Sequence, residues 1–353
     1  MHQSDGLHFI SDSIREANDM KKLLILFVLM VCLSLFWAAR NGGEIAPECL
    51  LQGVIEQGTL YEPVEIETFD SAKKSVRIRF DKVPTRVLVY EVNTLETLLA
   101  FGQGDKILSA SLNTSGETYA RLKKEYPEEL AKIRHISQQE ITREQAIAYQ
   151  PDFILGWKST FSPRRYGRTE WWQTRGVNTY IVATSNHVVK CGTIEDECKF
   201  LDDMGRIFDV SEKSEALIAA IHAETESVEK SVADEKKQNV MVVEVGKSEI
   251  MNYDDGWIVG DMVRRLGGYM PVKSPSVGAE DLLAQDPDVI FVVCFNSRHR
   301  EESARFFQDV RFNSLKASRN KRIYMLPFRY MYTPAVNTLD GIRLIKKGLY
   351  PEL

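Results

Sequence analysis

Two short apolar runs each follow a Pro-Asp pair: Phe153-Ile-Leu after Pro151-Asp152, and Val289-Ile-Phe after Pro287-Asp288. A run apolar on all sides suits a strand buried on both faces of a parallel sheet. Before each pair lies a short amphipathic helix, opened by Glu144 in one copy and Glu280 in the other, each seven residues ahead of its proline. Proline cannot continue a helix and biases the preceding residue away from αR, so it marks the stop. The copies lie more than a hundred residues apart, which is too long a period for a solenoid. The pattern predicts two similar α/β lobes with a cleft between them.

The duplication extends further. Each half opens with a strand, Arg86-Val-Leu-Val-Tyr90 or Asn239-Val-Met-Val-Val-Glu244, and then a helix with a glycine stop, Leu98-Leu-Ala-Phe-Gly102 or Val263-Arg-Arg-Leu-Gly267-Gly268. Each half closes on a further strand, Asn178-Thr-Tyr-Ile-Val182 or Arg322-Ile-Tyr-Met-Leu326. Strand–helix alternation of this kind predicts an α/β fold with a parallel sheet in each lobe.

The resulting map has an upstream extension with a signal peptide or membrane anchor over 1–40 and an entry region over 41–82. A first lobe covers 83–192, a helical connector 193–237 and a second lobe 238–353. Apolar–charged alternation in Val64–Thr68 and Ser75–Phe80 predicts half-buried edge strands. In the connector, Thr193 with Asp196 forms a variant capping box, and Ser211 caps a second piece with no breaker after it. A stiff link between the lobes is expected.

Export is written at the N-terminus. Met20-Lys-Lys precedes Leu23–Ala39, 17 residues in which only Ser34 is polar, the n-region and h-region of a secretory signal. Translation from Met20 is expected, because the 19 residues before it are polar. Cleavage, lipidation at Cys32 and retention as an anchor all remain open. In each case the folded part lies outside the cytoplasm, in the periplasm or on the outer face of the membrane.

A net charge of −5 and a pI near 5.8 argue against nucleic acid as a partner. The five cysteines form no CxxC pair, which disfavours a zinc ribbon or a thioredoxin motif. Cys191 and Cys198 are close enough to bridge, and unpaired thiols are the preferred reading. No GxSxG, P-loop or GxGxxG motif opens a helix, so no enzyme is expected. The acidic pairs Asp202-Asp203 and Asp254-Asp255 read as solvated.

With these marks in order the chain resembles the substrate-binding proteins of bacterial ABC importers for iron–siderophores, haem and vitamin B12. They are Arg86-Val-Leu-Val, Leu98-Leu-Ala-Phe-Gly, both Glu…Pro-Asp segments, Trp257-Ile-Val-Gly-Asp261 with Leu266-Gly-Gly, and Tyr324-Met-Leu-Pro327. The resemblance covers about residues 83 to 350. It implies two Rossmann-like lobes joined by a long rigid helix. The partner it implies is an ABC permease dimer with its ATPase. It also implies that Glu144 and Glu280 dock into the permease's arginine pockets. Two fixed carboxylates can be read bivalently by a two-fold receptor; each could equally serve as a helix-start acid favoured by the dipole. A monomer without a covalent cofactor is expected.

In an α/β lobe the ligand meets loops at the carboxyl ends of the strands. That rule selects Tyr90, Trp157, Lys158, Arg164, Arg165, Tyr166 and Arg168 in the first lobe, and Tyr253, Trp257, Arg298, Arg329 and Tyr330 in the second. Guanidinium groups suit carboxylate, hydroxamate or catecholate oxygens of a ferric chelate and stack on flat ligands. Aromatic walls suit a large, partly apolar guest. The expected ligand is a ferric siderophore, with haem or cobalamin as the alternative within the class. Haem needs a single Tyr or His as axial ligand. An interaction protein without a small ligand is the alternative from another class. Direct metal capture needs clustered histidines, and of the six only His299 falls on a selected loop.

Overall fold

The computed structural model describes residues 61–231 and 236–352. The expected export segment, the first part of the entry region and residues 232–235 of the connector lie outside the described residues. Among the described residues no helix is long and apolar enough to cross a membrane.

The entry strands β1 (Val64–Phe69) and β2 (Ser75–Phe80) pair antiparallel with each other as a two-stranded sheet of their own. The hairpin sits against the edge of the first lobe. Thr68 Oγ1 donates to the Ile181 carbonyl and accepts from the Ile181 amide. One side chain thus satisfies a strand edge that would otherwise be open to pairing.

The first lobe is a parallel sheet of β3 (Val87–Val89), β4 (Ile107–Ser111), β5 (Ile136–Ser137), β6 (Phe153–Gly156) and β7 (Asn178–Ile181), in the order β5-β4-β3-β6-β7. The chain reverses its direction of growth between β3 and β6, and ligand crevices form at such a switch point. In the second lobe β8 (Gln238–Val245) pairs in parallel with β12 (Val289–Cys294), which pairs in parallel with β13 (Ile323–Pro327). The two-residue β10 (Gly268–Tyr269) runs parallel to the start of β8. The second sheet is parallel over these strands, as expected, and carries an antiparallel addition at one edge. β9 (Ile250–Asn252) returns antiparallel along the end of β8, and β11 (Ser276–Val277) runs antiparallel to β9. The cause is length: β8 has eight residues where β3 has three. The Gly246 amide bonds to the Glu249 carbonyl, closing a tight turn that sends the extra length back on itself.

The helices that bear on function are α1 (Val92–Ala100), α2 (Glu117–Glu125), α3 (Arg143–Ala148), α4 (Ile194–Ile207), α5 (Ser211–Ser231), α6 (Ile258–Arg265), α7 (Ala279–Gln285), α8 (Ser297–Phe306) and α9 (Thr338–Leu349). Thr193 caps α4 in the expected box with Asp196. Both predicted glycine stops are left-handed, Gly102 at φ 78° and Gly267 at φ 81°. Both residues before the duplicated prolines are left-handed as well, Gln150 at 47° and Asp286 at 40°. Each Pro-Asp aspartate then accepts from the amide at the start of its lobe's first strand, Asp152 from Arg86 at 3.0 Å and Asp288 from Asn239 at 2.9 Å.

Side chains alternate across each sheet. Leu88 and Ile154 face a core private to the first lobe, and Val243 and Val292 one private to the second. Val87, Leu155, Val242 and Val293 face a shared core, which also takes Phe200, Ile221 and Ile345 from α4, α5 and α9. Asp203 in α4 is buried and accepts from the Tyr180 hydroxyl at 2.7 Å, which corrects its reading as solvated. Cys191, Cys198 and Cys294 are free thiols.

Candidate functional site

The carboxyl ends of the two sheets meet across a chain of aromatic rings. Trp157, just past β6, lies with its ring centroid 5.0 Å from that of Tyr332, which stands 5.6 Å from Trp257 and 5.0 Å from Phe328. His187 reaches Trp257 at 4.3 Å, and Phe295 continues the chain from Phe328 at 4.8 Å. Aromatic contacts of this kind prefer edge and offset geometry, as seen here.

Polar bonds hold the two sides in register. Asn93 Nδ2 at the start of α1 donates to the carbonyls of Tyr332 and Thr333, and the Asn186 amide donates to the Tyr332 hydroxyl at 2.8 Å. The buried Glu197 carboxylate accepts from Thr184 on one side and from the Ala335 amide on the other, at 2.6 Å. Burial pushes its pKa up to about 7 against the pull of those two bonds. Asn186 (φ 49°), His187 (52°), Thr333 (40°) and Ala335 (53°) are left-handed without being glycine, and such strain is kept where surroundings fix it. Further out the Ser297 amide, first in α8, donates to Glu117 of α2 at 3.1 Å. The helices that follow β4 and β12 therefore touch directly.

Beside this seam the first lobe opens a pocket of about 410 Å³ whose lining includes Tyr90, Glu140, Arg143, Glu144, Arg164 and Arg165. Arg165 lies over the Tyr90 ring, 4.4 Å from its centroid, between Glu91 at 3.5 Å and Glu140 at 3.6 Å. Burial pushes Glu91 up to about 7, while Arg165 and the Thr160 hydroxyl pull it back. Burial also raises Tyr90. Arg143 fixes the loop itself, donating to the carbonyls of Arg165 at 3.1 Å and Pro163 at 2.8 Å. Gly167 allows this approach: its φ is 81°, and a Cβ there would stand 3.1 Å from the Arg143 guanidinium. Arg164 is exposed at the rim.

The second lobe opens a pocket of about 480 Å³ lined by Glu244, Phe295, Arg298, His299, Glu302 and Phe306 among others. Phe295 is half exposed and stacks on His299. Trp157 Nε1, His299 Nδ1 and Arg329 Nε are buried without a hydrogen-bond partner. Such atoms at the strand ends are positions a guest could satisfy.

Three selected residues, Tyr166, Tyr253 and Arg168, need correction. Tyr166 is buried in the first lobe's private core against Trp172. Tyr253 is buried beneath Trp257 and donates to Glu244 at 2.6 Å. Arg168 is exposed at the start of the short helix Thr169–Gln173, outside the pocket lining. Arg329 turns onto its own neighbour, stacking over the Tyr330 ring at 4.4 Å and donating to its hydroxyl. Arg298 lines the second pocket, but its side chain is largely exposed and paired with Glu302 one helical turn on. Lys158 is half-buried, with its amide bonded to Ser185 Oγ.

Sequence reasoning missed Glu140, Arg143 and His187, because each lies on a segment that reaches the site only through the fold. Glu144 and Glu280 are both exposed at the second position of their helices, α3 and α7. Bonds at the helix start hold Glu144 below the ordinary carboxylate value.

A family model described as periplasmic binding protein matches residues 87–330. A periplasmic binding protein from Veillonella parvula DSM 2008 is 28% identical with a TM-score of 0.75, over 82% of this chain and 92% of that one. The ABC-type Fe3+-hydroxamate transport system structure from Saccharomonospora viridis DSM 43017 is 21% identical with a TM-score of 0.61, over 80% and 98%. The catecholate-siderophore binding protein VctP from Vibrio cholerae is 17% identical with a TM-score of 0.60, over 81% and 99%. The last two share the fold. No curated protein matches.

Proposed function

The chain belongs to the periplasmic binding protein family, and from that premise we propose that it captures a ferric siderophore and delivers it to an ABC permease. Members of this family are extracytoplasmic binding components of transport rather than enzymes. The observation that carries the siderophore reading is the stack of Arg165 on Tyr90, beside exposed Arg164, in an open pocket next to the aromatic seam. Guanidinium donors can pair with the chelate's anionic oxygens, and the rings can pack against its organic frame. The binding proteins named above for a hydroxamate system and a catecholate siderophore have the same fold. In this reading residues 83–192 and 238–353 are the two binding lobes and 193–237 the connector. The protein works as a monomer, held at the outer face by its N-terminal segment or released into the periplasm. Glu144 and Glu280, exposed at matching helix positions, dock on the permease.

Tryptophan fluorescence tests the ligand class, since Trp157 and Trp257 lie in the seam. Quenching by ferric hydroxamate or ferric catecholate, with none by haemin or cobalamin, is the expected result. A Soret shift with haemin would make the ligand haem, and silence across the panel would favour an interaction protein. The docking roles have a separate readout. Glu280→Ala should keep normal affinity and lose uptake, and Glu144→Ala, at the edge of the first-lobe pocket, should lose far more uptake than any change in affinity explains; normal uptake would leave both as helix-start acids.

A further inference from the structure

The connector carries a second cluster of chemistry, built by α4 and α5 rather than by the ligand loops. Glu195 and Cys198 are three residues apart near the start of α4 and so share one face of the helix. His222 comes to them from α5. Glu195 Oε2 lies 3.1 Å from His222 Nε2, and Cys198 Sγ lies 3.7 Å from the same nitrogen. All three donor atoms fall within 4.8 Å of one another.

These distances match a coordination edge. With zinc bonds of about 2.3 Å to sulfur and 2.0–2.1 Å to nitrogen and oxygen at tetrahedral angles, S···N comes to about 3.6 Å and N···O to about 3.3 Å. The nitrogen–oxygen and nitrogen–sulfur edges thus already stand within a few tenths of an ångström of coordination lengths, and the sulfur–oxygen edge, within 4.8 Å, closes to about 3.6 Å when an ion enters. We propose that Glu195, Cys198 and His222 bind one zinc-class divalent cation that ties the two connector helices together.

The surrounding groups fit this role. Arg265 Nη2 holds Glu195 Oε1 at 3.0 Å, leaving Oε2 turned toward His222. The same guanidinium is shared with Asp261 at 3.2 Å, so its charge is largely balanced before a cation arrives. Such outer partners orient ligating groups in metal sites. Thiolate, imidazole and carboxylate together select zinc-like ions over magnesium or calcium. On ligation the Cys198 thiol gives its proton to solvent and its sulfur to the metal. Glu195 and His222 are partly exposed, so the fourth position falls to water. The thiol itself is buried against the shared core, which places the ion where it would bridge α4 and α5.

Titration of the reduced, metal-free full chain with Co2+ alone tests the site. One equivalent should bind, with a thiolate-to-cobalt charge-transfer band and tetrahedral d–d absorption, both reversed by Zn2+. Cys198→Ser should remove the charge-transfer band, and His222→Gln, a change at a half-exposed position, should remove tight binding with the fold intact by circular dichroism. Cys191→Ser and His135→Gln, both at exposed positions away from the cluster, should leave the cobalt bands unchanged. A band that survives Cys198→Ser or follows Cys191→Ser would overturn the proposal, as would the absence of a thiolate band in excess cobalt.

Discussion

Both lobes place an acidic residue inside the helix that precedes the glycine stop, yet they spend it differently. In the first lobe Glu96 of α1 is buried and bound by both terminal nitrogens of Arg121 on α2. In the second, Asp261 of α6 is equally buried, but it accepts from the Ile194 amide at the start of α4. One acid closes its own lobe; the other fastens its lobe to the connector. The pockets differ in the same spirit. The first lobe's arginine is stacked between carboxylates, whereas the second lobe's Arg298 serves its own helix. Duplicated architecture thus need not mean duplicated roles, and the first lobe holds the more developed charged wall.

The sharpest way to break this comparison is to remove the buried acid. Glu96→Ala leaves Arg121 with only the half-exposed Glu125 and should cost about 3 kcal/mol, the lower end for buried pairs that lose one partner, read from the urea midpoint. A loss under about 1 kcal/mol would put the pair with surface ion pairs and erase the contrast with Asp261.

Next in size is the arginine wall. Arg165→Ala should weaken an anionic chelate about ten- to a hundredfold, the range of one charge-assisted contact, whereas Arg298→Ala should leave affinity nearly unchanged. Titration calorimetry on both variants decides it. The reverse order would move the ligand to the second lobe.

The smallest effect is a pH dependence. Glu91 is raised by burial from 4.5 to about 7. Its contribution to stability is therefore complete below the unfolded value and is lost as pH rises through about 7. In the pocket the same proton matters for charge. Neutral Glu91 leaves Arg165 free to face an anion, so affinity should rise as pH falls through about 7, and Glu91→Gln should flatten the profile. A wild-type profile already flat across that range would show that Glu91 does not compete with the ligand.

How far the chain could be read depended on the range of each interaction. The helix stops were legible because a glycine or a proline acts on its own backbone; the left-handed Gly102 and Gly267 follow directly, whereas proline only moved Gln150 and Asp286 out of αR and left their left-handed turn unannounced. The strand ends were legible too, since the rule that ligands meet them needs only the order of elements. Loop side-chain directions were not. Tyr166 and Arg165 are neighbours, yet one enters the core and the other stacks in the pocket, because Arg143 from another segment sets the path between them. The antiparallel return of β9 was hidden as well, since nothing in an apolar run announces how far a strand outlasts its partners.

The shared core has a consequence for the history of such a chain. Its members run from Ile66 in the entry hairpin to Leu349 near the last turn of α9, through both sheets and the connector. Separable domains are divided where few contacts cross, and no such plane lies at the connector. A gene that exchanged one lobe for that of a relative would cut through packed side chains on both sides of the join. The two halves repeat one pattern of elements, yet side chains packed across the join make them a single piece.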